Sequence, residues 1–179
     1  PNVSESTRQK VQEILDQIGF QPNLAAKGLV SGKTNIIGVV IPTSVVKIFS
    51  DPYFPLLLQG ISTSCNALGY SVMLWLSEPE YERRMISQIL HNGLIEGVII
   101  ASVPIRDTIV NSLMDSHIPF LMVGRHPLLD VSYLDVDNVK AARNAVTHLV
   151  HLGHKRLTTI TGDLDQITGR TRFQGYTIA

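Results

Sequence analysis

A chain of 179 residues has room for one ordinary domain or two small ones, with roughly 70% of the unfolded surface buried on folding. Hydrophobic residues at 44% against 17% charged exclude a disordered chain, a collagen or a charged solvated tail. Fifteen Lys+Arg balance fifteen Asp+Glu, so no net field holds nucleic acid or an acidic membrane, and any DNA contact has to be local.

Ser4 is placed to cap a helix whose apolar positions Val11, Ile14, Leu15 and Ile18 follow the i, i+3, i+4, i+7 stripe, and Gly19 to end it in a left-handed cap. Pro22-Asn23 breaks the chain and offers a second cap. The short helical run Leu24 to Leu29 and the polar linker Ser31-Gly32-Lys33-Thr34 follow. At Asn35 the composition changes, because Ile36 to Ile41 is the kind of continuous apolar run that a parallel sheet buries on both faces. Similar runs at Val72 to Leu76, Val98 to Ala101, Phe120 to Val123, Tyr133 to Val136 and Leu157 to Thr161 predict further strands. Helical patterns fill most gaps, at Pro55 to Leu68, Glu80 to Leu90, Thr108 to Ser116 and Asn138 to Leu152. The alternation predicts an α/β fold, a doubly wound parallel sheet with right-handed crossovers and ligand at the carboxyl ends of its strands.

Familiar catalytic motifs fail on spacing or context. Gly28-Leu-Val-Ser-Gly32-Lys33-Thr34 has three residues between its glycines where a phosphate loop needs four, and it follows a helix and precedes a strand, the reverse order. No G-x-G-x-x-G follows a strand, and neither G-x-S-x-G nor H-E-x-x-H occurs. His148 and His151 fall near a predicted helix C-terminus, where imidazoles complement the dipole, and that reading is preferred to a metal site with His154. Cys65 sits on the stripe Leu58, Ile61, Cys65, Leu68 and reads as a small core residue. A lone cysteine forms no internal disulfide and favours a reducing compartment, the cytoplasm. The polar N-terminal segment and the lack of ~20 consecutive apolar residues predict neither signal peptide nor membrane span.

Val3-Ser-Glu-Ser-Thr7-Arg8, Gly19-Phe20-Gln-Pro22-Asn23, Ala25-Ala26-Lys27-Gly28-Leu29 and Ile37-Gly38-Val39-Val40 together resemble the lactose/galactose-repressor family of bacterial transcription regulators. The resemblance continues through Asp51-Pro-Tyr-Phe54, Gly93-Leu-Ile-Glu-Gly97, Asp137-Asn138, His148-Leu-Val-His-Leu-Gly153-His154 and Arg172-Phe-Gln-Gly175-Tyr176, and so spans the chain. It implies four parts: residues 1–23 as the last helix of a helix-turn-helix headpiece, 24–34 as hinge helix and linker, 35–136 as a first effector subdomain and 137–179 as the start of a second. The effector part would have the periplasmic-binding-protein-like fold. The chain is expected to lack the base-reading helix and most of the second subdomain. Thr43 to Ser50 looks like an insertion, and with Tyr133 to Arg143 it most resembles maltose-operon regulators within the family.

The resemblance implies DNA contacts from Ser4, Thr7, Asn23, Ala26, Lys27 and Leu29, with Leu29 as a minor-groove wedge; helix capping is the alternative for Ser4, Thr7 and Asn23. For an effector it points to Tyr53, Phe54, Ser102, Arg125, Asp137, Thr168 and Arg172. Asp137 reads equally as the N-cap of the following helix. Among these Arg172 stands out, because a guanidinium fork suits sugar hydroxyls. The expected partners are operator DNA, a small sugar-like effector and a second copy of the chain through the helices around Tyr81, Met85 and Ile89; no metal, cofactor or enzymatic activity is implied. A sugar-binding receptor of the same fold without DNA binding is the rival reading, and an enzyme of doubly wound fold is the next.

Overall fold

β1 (Ile36–Val40) takes the middle of the molecule's sheet because it has no polar face: its last three residues are fully buried. The computed structural model describes residues 3–20, 33–76, 79–90 and 93–179, in two compact units, Pro1–Thr34 and Asn35–Ala179. In the first unit α1 (Glu5–Gln17) starts where Ser4 Oγ accepts from the Thr7 amide at 3.3 Å. It ends in a Schellman closure: the Phe20 amide donates to the Leu15 carbonyl at 2.9 Å and the Gly19 amide to Asp16 at 3.3 Å, with Gly19 at φ +62°, a conformation a side chain resists. No residue of α1 is buried, and Val11, Ile14 and Ile18 on its apolar stripe are exposed.

The second unit carries, after β1, the helices α2 (Val45–Ser50) and α3 (Tyr53–Ala67), then β2 (Ser71–Trp75), α4 (Pro79–Leu90), β3 (Gly97–Ala101), α5 (Ile109–Ser116), β4 (Phe120–Val123), β5 (Tyr133–Leu134), α6 (Asn138–His151) and α7 (Ile167–Thr177). The five strands form one parallel sheet in the order β2-β1-β3-β4-β5. Alternation along each strand divides the core. Val40, Val98, Ile100 and Met122 face Ile86 and Leu90 of α4 and Ile109, Val110 and Leu113 of α5. Val39, Ile41 and Ala101 face Ile48 of α2 and Phe54 of α3, with Leu57, Leu58 and Ile61 packed around them. Each fully buried branched side chain contributes roughly 1.5–3 kcal/mol. Helices on both faces make the sheet doubly wound, and strand order reverses between β1 and β3, where such sheets take ligands at the carboxyl ends.

Several expectations need correction. Leu157 to Thr161 is not a strand: among the described residues no strand pairs with it, its Leu157 carbonyl accepts from the Tyr176 hydroxyl at 2.9 Å, and Ile160 is 97% exposed. Its β-branched composition is insufficient without a neighbouring ladder. β5 stops after two residues instead of reaching Val136, because the Val136 amide donates to the Asp135 carboxylate at 2.8 Å and is lost to the ladder. The apparent insertion after β1 holds α2, capped by Ser44 Oγ on the Lys47 amide. α3 begins at Tyr53, two residues before Pro55, since proline is tolerated in a first turn. Leu68, assigned to the core stripe with Cys65, is the C-cap of α3 and stands 77% exposed, while Cys65 itself is half-buried. α7, which no sequence pattern announced, packs on α6 through Gly175; a Cβ there would collide with the Val139 carbonyl and lie 2.8 Å from Ala142 Cβ.

Candidate functional site

The carboxyl ends of β1, β3, β4 and β5 gather most of the effector positions. After β1 the short α2 and the turn at Asp51 lead into α3, whose first residue is Tyr53; its amide donates to Asp51 Oδ1 at 3.0 Å. The Tyr53 ring is half exposed and meets Phe54 edge to face, with centroids 5.3 Å apart. Burial first, and then the carboxylates of Asp135 and Asp51, hold the Tyr53 hydroxyl above its ordinary pKa, opposed by Arg172. These groups therefore share one electrostatic neighbourhood, and the hydroxyl stays a neutral donor. Phe54 turns the other way: at 2% exposure it lies in the core with Val39, Ile41 and Ala101 and supports Tyr53 from beneath.

Ser102 follows β3 in a left-handed conformation, φ +60°, uncommon for a residue with a side chain. That turn brings its carbonyl to the Gln166 amide Nε2 at 3.3 Å, and the Ile105 amide donates to the Asp165 carbonyl at 2.8 Å, which holds the loop before α7 against the end of β3. Such off-region residues gather at ligand sites. After β4 the Arg125 guanidinium stacks 4.9 Å from the centroid of the Tyr133 ring, a cation–π contact. Asp137 is the N-cap of α6, accepting from the Lys140 amide at 2.9 Å. Thr168 and Arg172 stand one turn apart on the same face of α7, Thr168 half-buried and Arg172 exposed.

The sequence reading overlooked the residues that join these groups. Asn138, the first residue of α6, accepts from Arg172 Nε at 2.8 Å and donates to Asp135 Oδ1 and to the Val136 carbonyl, both at 3.1 Å. Asp135 and Gln166 are the others. A polar residue beside a helix cap was a visible signal for Asn138, but its partner lies 34 residues away.

On the DNA side, Ser4 and Thr7 sit at the N-terminus of α1, their hydroxyls 2.8 Å apart. Asn23, Ala26, Lys27 and Leu29 lie outside the described residues. Among the described residues no three His, Cys, Asp or Glu side chains gather to hold a metal, and no helix is long and apolar enough to cross a membrane.

Residues 34–179 match the sequence family described as periplasmic binding proteins and sugar binding domain of LacI family. The chain is 29% identical over 177 residues to the HTH-type transcriptional regulator CelR of Thermobifida fusca, covering 97% of this chain and 52% of CelR. It is likewise 29% identical over 175 residues to the HTH-type transcriptional regulator MalR of Streptococcus pneumoniae serotype 4, covering 97% of this chain and 53% of MalR. Among solved structures, a transcriptional regulator CelR–cellobiose complex superposes with a TM-score of 0.77 at 26% identity over 99% of this chain and 53% of its own. The chain thus spans about half the length of the curated relatives it matches.

Proposed function

Since the chain belongs to the family of periplasmic binding proteins and LacI-type sugar-binding domains, we propose that it is part of a sugar-controlled transcription regulator and not an enzyme. The observation that carries this reading is the polar cluster of Tyr53, Asp135, Asn138 and Arg172 at the carboxyl ends of the strands, beside the reversal in strand order. Donors and acceptors fixed side by side suit a neutral polyhydroxyl ligand. Tyr53, Ser102, Arg125, Thr168 and Arg172 are the proposed contacts, with Asp137 at the rim and Phe54 as their support. Cellobiose and maltose are the first effectors to try, because one similar solved structure is a CelR–cellobiose complex and another is described as a probable maltose operon transcriptional repressor.

The ligand would favour one of two arrangements of the subdomains 35–136 and 137–179, and the shift in population would reach operator DNA through residues 24–34. Ser4, Thr7, Asn23, Ala26 and Lys27 are the proposed contacts to phosphates and groove, and Leu29 is the wedge that unstacks a base step. The protein acts in this reading as a cytoplasmic homodimer joined through α3 and α4, where Leu56, Leu68 and Tyr81 are exposed. The relatives' names favour regulation over a receptor role.

The test is calorimetric titration of the full regulator with cellobiose, maltose and glucose, followed by selection of bound DNA from a random pool with and without the binding sugar. Binding of one saccharide and sugar-dependent recovery of a near-palindromic sequence are expected. Saccharide binding without any selected DNA would turn the reading to the receptor, and no saccharide binding would end it.

A further inference from the structure

Asn138 is the one polar side chain buried among the described residues, at 4% exposure. A buried amide is tolerated only when its hydrogen bonds are made, and here both ends of it are engaged. Its orientation follows from its neighbours. Arg172 Nε can only donate and the Val136 carbonyl can only accept, so the amide oxygen must face α7 and the nitrogen must face the Asp135 turn. Asp135 Oδ1 is then filled twice, by the Asn138 amide at 3.1 Å and by the Val136 backbone amide at 2.8 Å. Arg172 has spent Nε. Among the described residues nothing occupies its two terminal nitrogens or Asp135 Oδ2.

We propose that Asn138 is a positioning residue that presents Arg172 and Asp135 together as a donor–acceptor pair for adjacent hydroxyls of the effector, and that Asp135 is itself an effector contact. This rests on the sugar-binding reading and goes beyond it in naming the two heads and the residue that sets them. The guanidinium offers parallel N–H donors and the free carboxylate oxygen an acceptor, the combination that a vicinal diol matches. The half-exposed Tyr53 phenol lies within reach of both charges. Three separate stretches of chain meet at this amide: the exit of β5, the first turn of α6 and the second turn of α7. One small side chain thereby removes rotamer freedom from a long arginine before the ligand arrives.

Two measurements on the full chain decide it. The first needs no ligand: in nitrogen–proton spectra of the arginine side chains, assigned by Arg172→Lys, the Arg172 Nε–H should exchange slowly in the wild type. In Asn138→Ala it should exchange as fast as a solvated arginine; persistence of the protected signal would overturn the proposal. The second is titration with cellobiose or maltose, whichever binds the wild type. Asn138→Ala should lose roughly tenfold or more in affinity, and adding it to a variant that already carries Arg172→Ala and Asp135→Asn should cost little further. Losses that multiply, or an affinity unchanged in Asn138→Ala, would make the amide merely structural. If Asn138→Ala does not fold, Asn138→Asp keeps the acceptor for Arg172 while losing both donors. It should retain the Arg172 signal and lose affinity to the extent that Asp135→Asn does. Failure of both sugars to bind the wild type sinks the sugar reading, while the spectra still judge the positioning.

Discussion

At the amino ends of β1, β3 and β4 the second unit leaves two hollows of about 400 Å³ each, one walled chiefly by Leu113, Ile118 and Phe120, the other by Ile37, Val98 and Leu121. At the carboxyl ends Tyr53, Asp135, Asn138 and Arg172 converge instead. Polar groups border both hollows, Asp130 and Ser132 beside the first and Tyr70 and Glu96 beside the second, without the linked donor and acceptor pairs found at the other end of the sheet. Room alone does not make a site, and convergent donors and acceptors with a strained residue beside them make the stronger claim.

The largest expected effect falls on the amino side. Leu113 is 1% exposed and borders the first hollow. Leu113→Ala should cost about 2–5 kcal/mol of stability, since the lost transfer energy adds to an unfilled cavity, while sugar affinity of the folded protein stays as it was. Chemical unfolding and calorimetry on one preparation separate the two; a loss of sugar affinity with stability intact would move the ligand to the wrong end of the sheet.

Next comes Arg172→Ala on the carboxyl side, with the opposite division. Sugar affinity should fall by on the order of 2 kcal/mol or more, because a charged donor to the ligand is gone, while stability should fall by about 1 kcal/mol, the loss of the hydrogen bond to the Asn138 oxygen. A lower melting temperature with normal binding would assign the guanidinium to structure and remove the difference between the two ends.

These contrasts bear on how much was legible beforehand. The strands β1 to β4 could be read because a parallel sheet buries both faces and leaves continuous apolar runs such as Ile36 to Ile41. α7 could not, because the positions it buries are Gly169 and Gly175, chosen for close approach to the Asp163 and Val139 carbonyls, so no apolar stripe forms. Leu157 to Thr161 failed for the converse reason: the composition of a strand was present without a partner strand among the described residues. At the site, the chemistry of Arg172 and Tyr53 was visible in their residue types. Asn138 was not, since its value depends on Arg172 Nε arriving from another helix.

A smaller effect tests the edge of the site. Asp137 caps α6 through the Lys140 amide, and its side chain is exposed. Asp137→Ala should cost about 1 kcal/mol of stability, and Asp137→Asn almost nothing, because asparagine caps as well as aspartate. Sugar affinity should survive both changes if the carboxylate is a cap alone. An affinity loss in Asp137→Asn at unchanged stability would instead make it a ligand acceptor and extend the site across the crossover.

The smallest expected effect is one of pH, in the loop that joins β4 to β5. His126 Nδ1 accepts from the Leu128 amide at 3.2 Å and the Leu129 amide at 3.0 Å, which requires that nitrogen to be unprotonated. Burial holds the imidazole below its ordinary pKa of 6.5. The unfolded chain therefore binds more protons than the folded one as pH falls below that value, and stability rises with pH. The contribution of the neutral ring is complete above the unfolded value and is lost as pH falls through the depressed folded one. Proton titration of the His126 ring by NMR should show the lowered midpoint, and the Leu128 and Leu129 amides should exchange faster on the acid side. His126→Ala should flatten the decline in melting temperature between about pH 7 and pH 5. A midpoint at or above the ordinary value would remove the neutral ring, bound to the Leu128 and Leu129 amides, as the anchor of this loop.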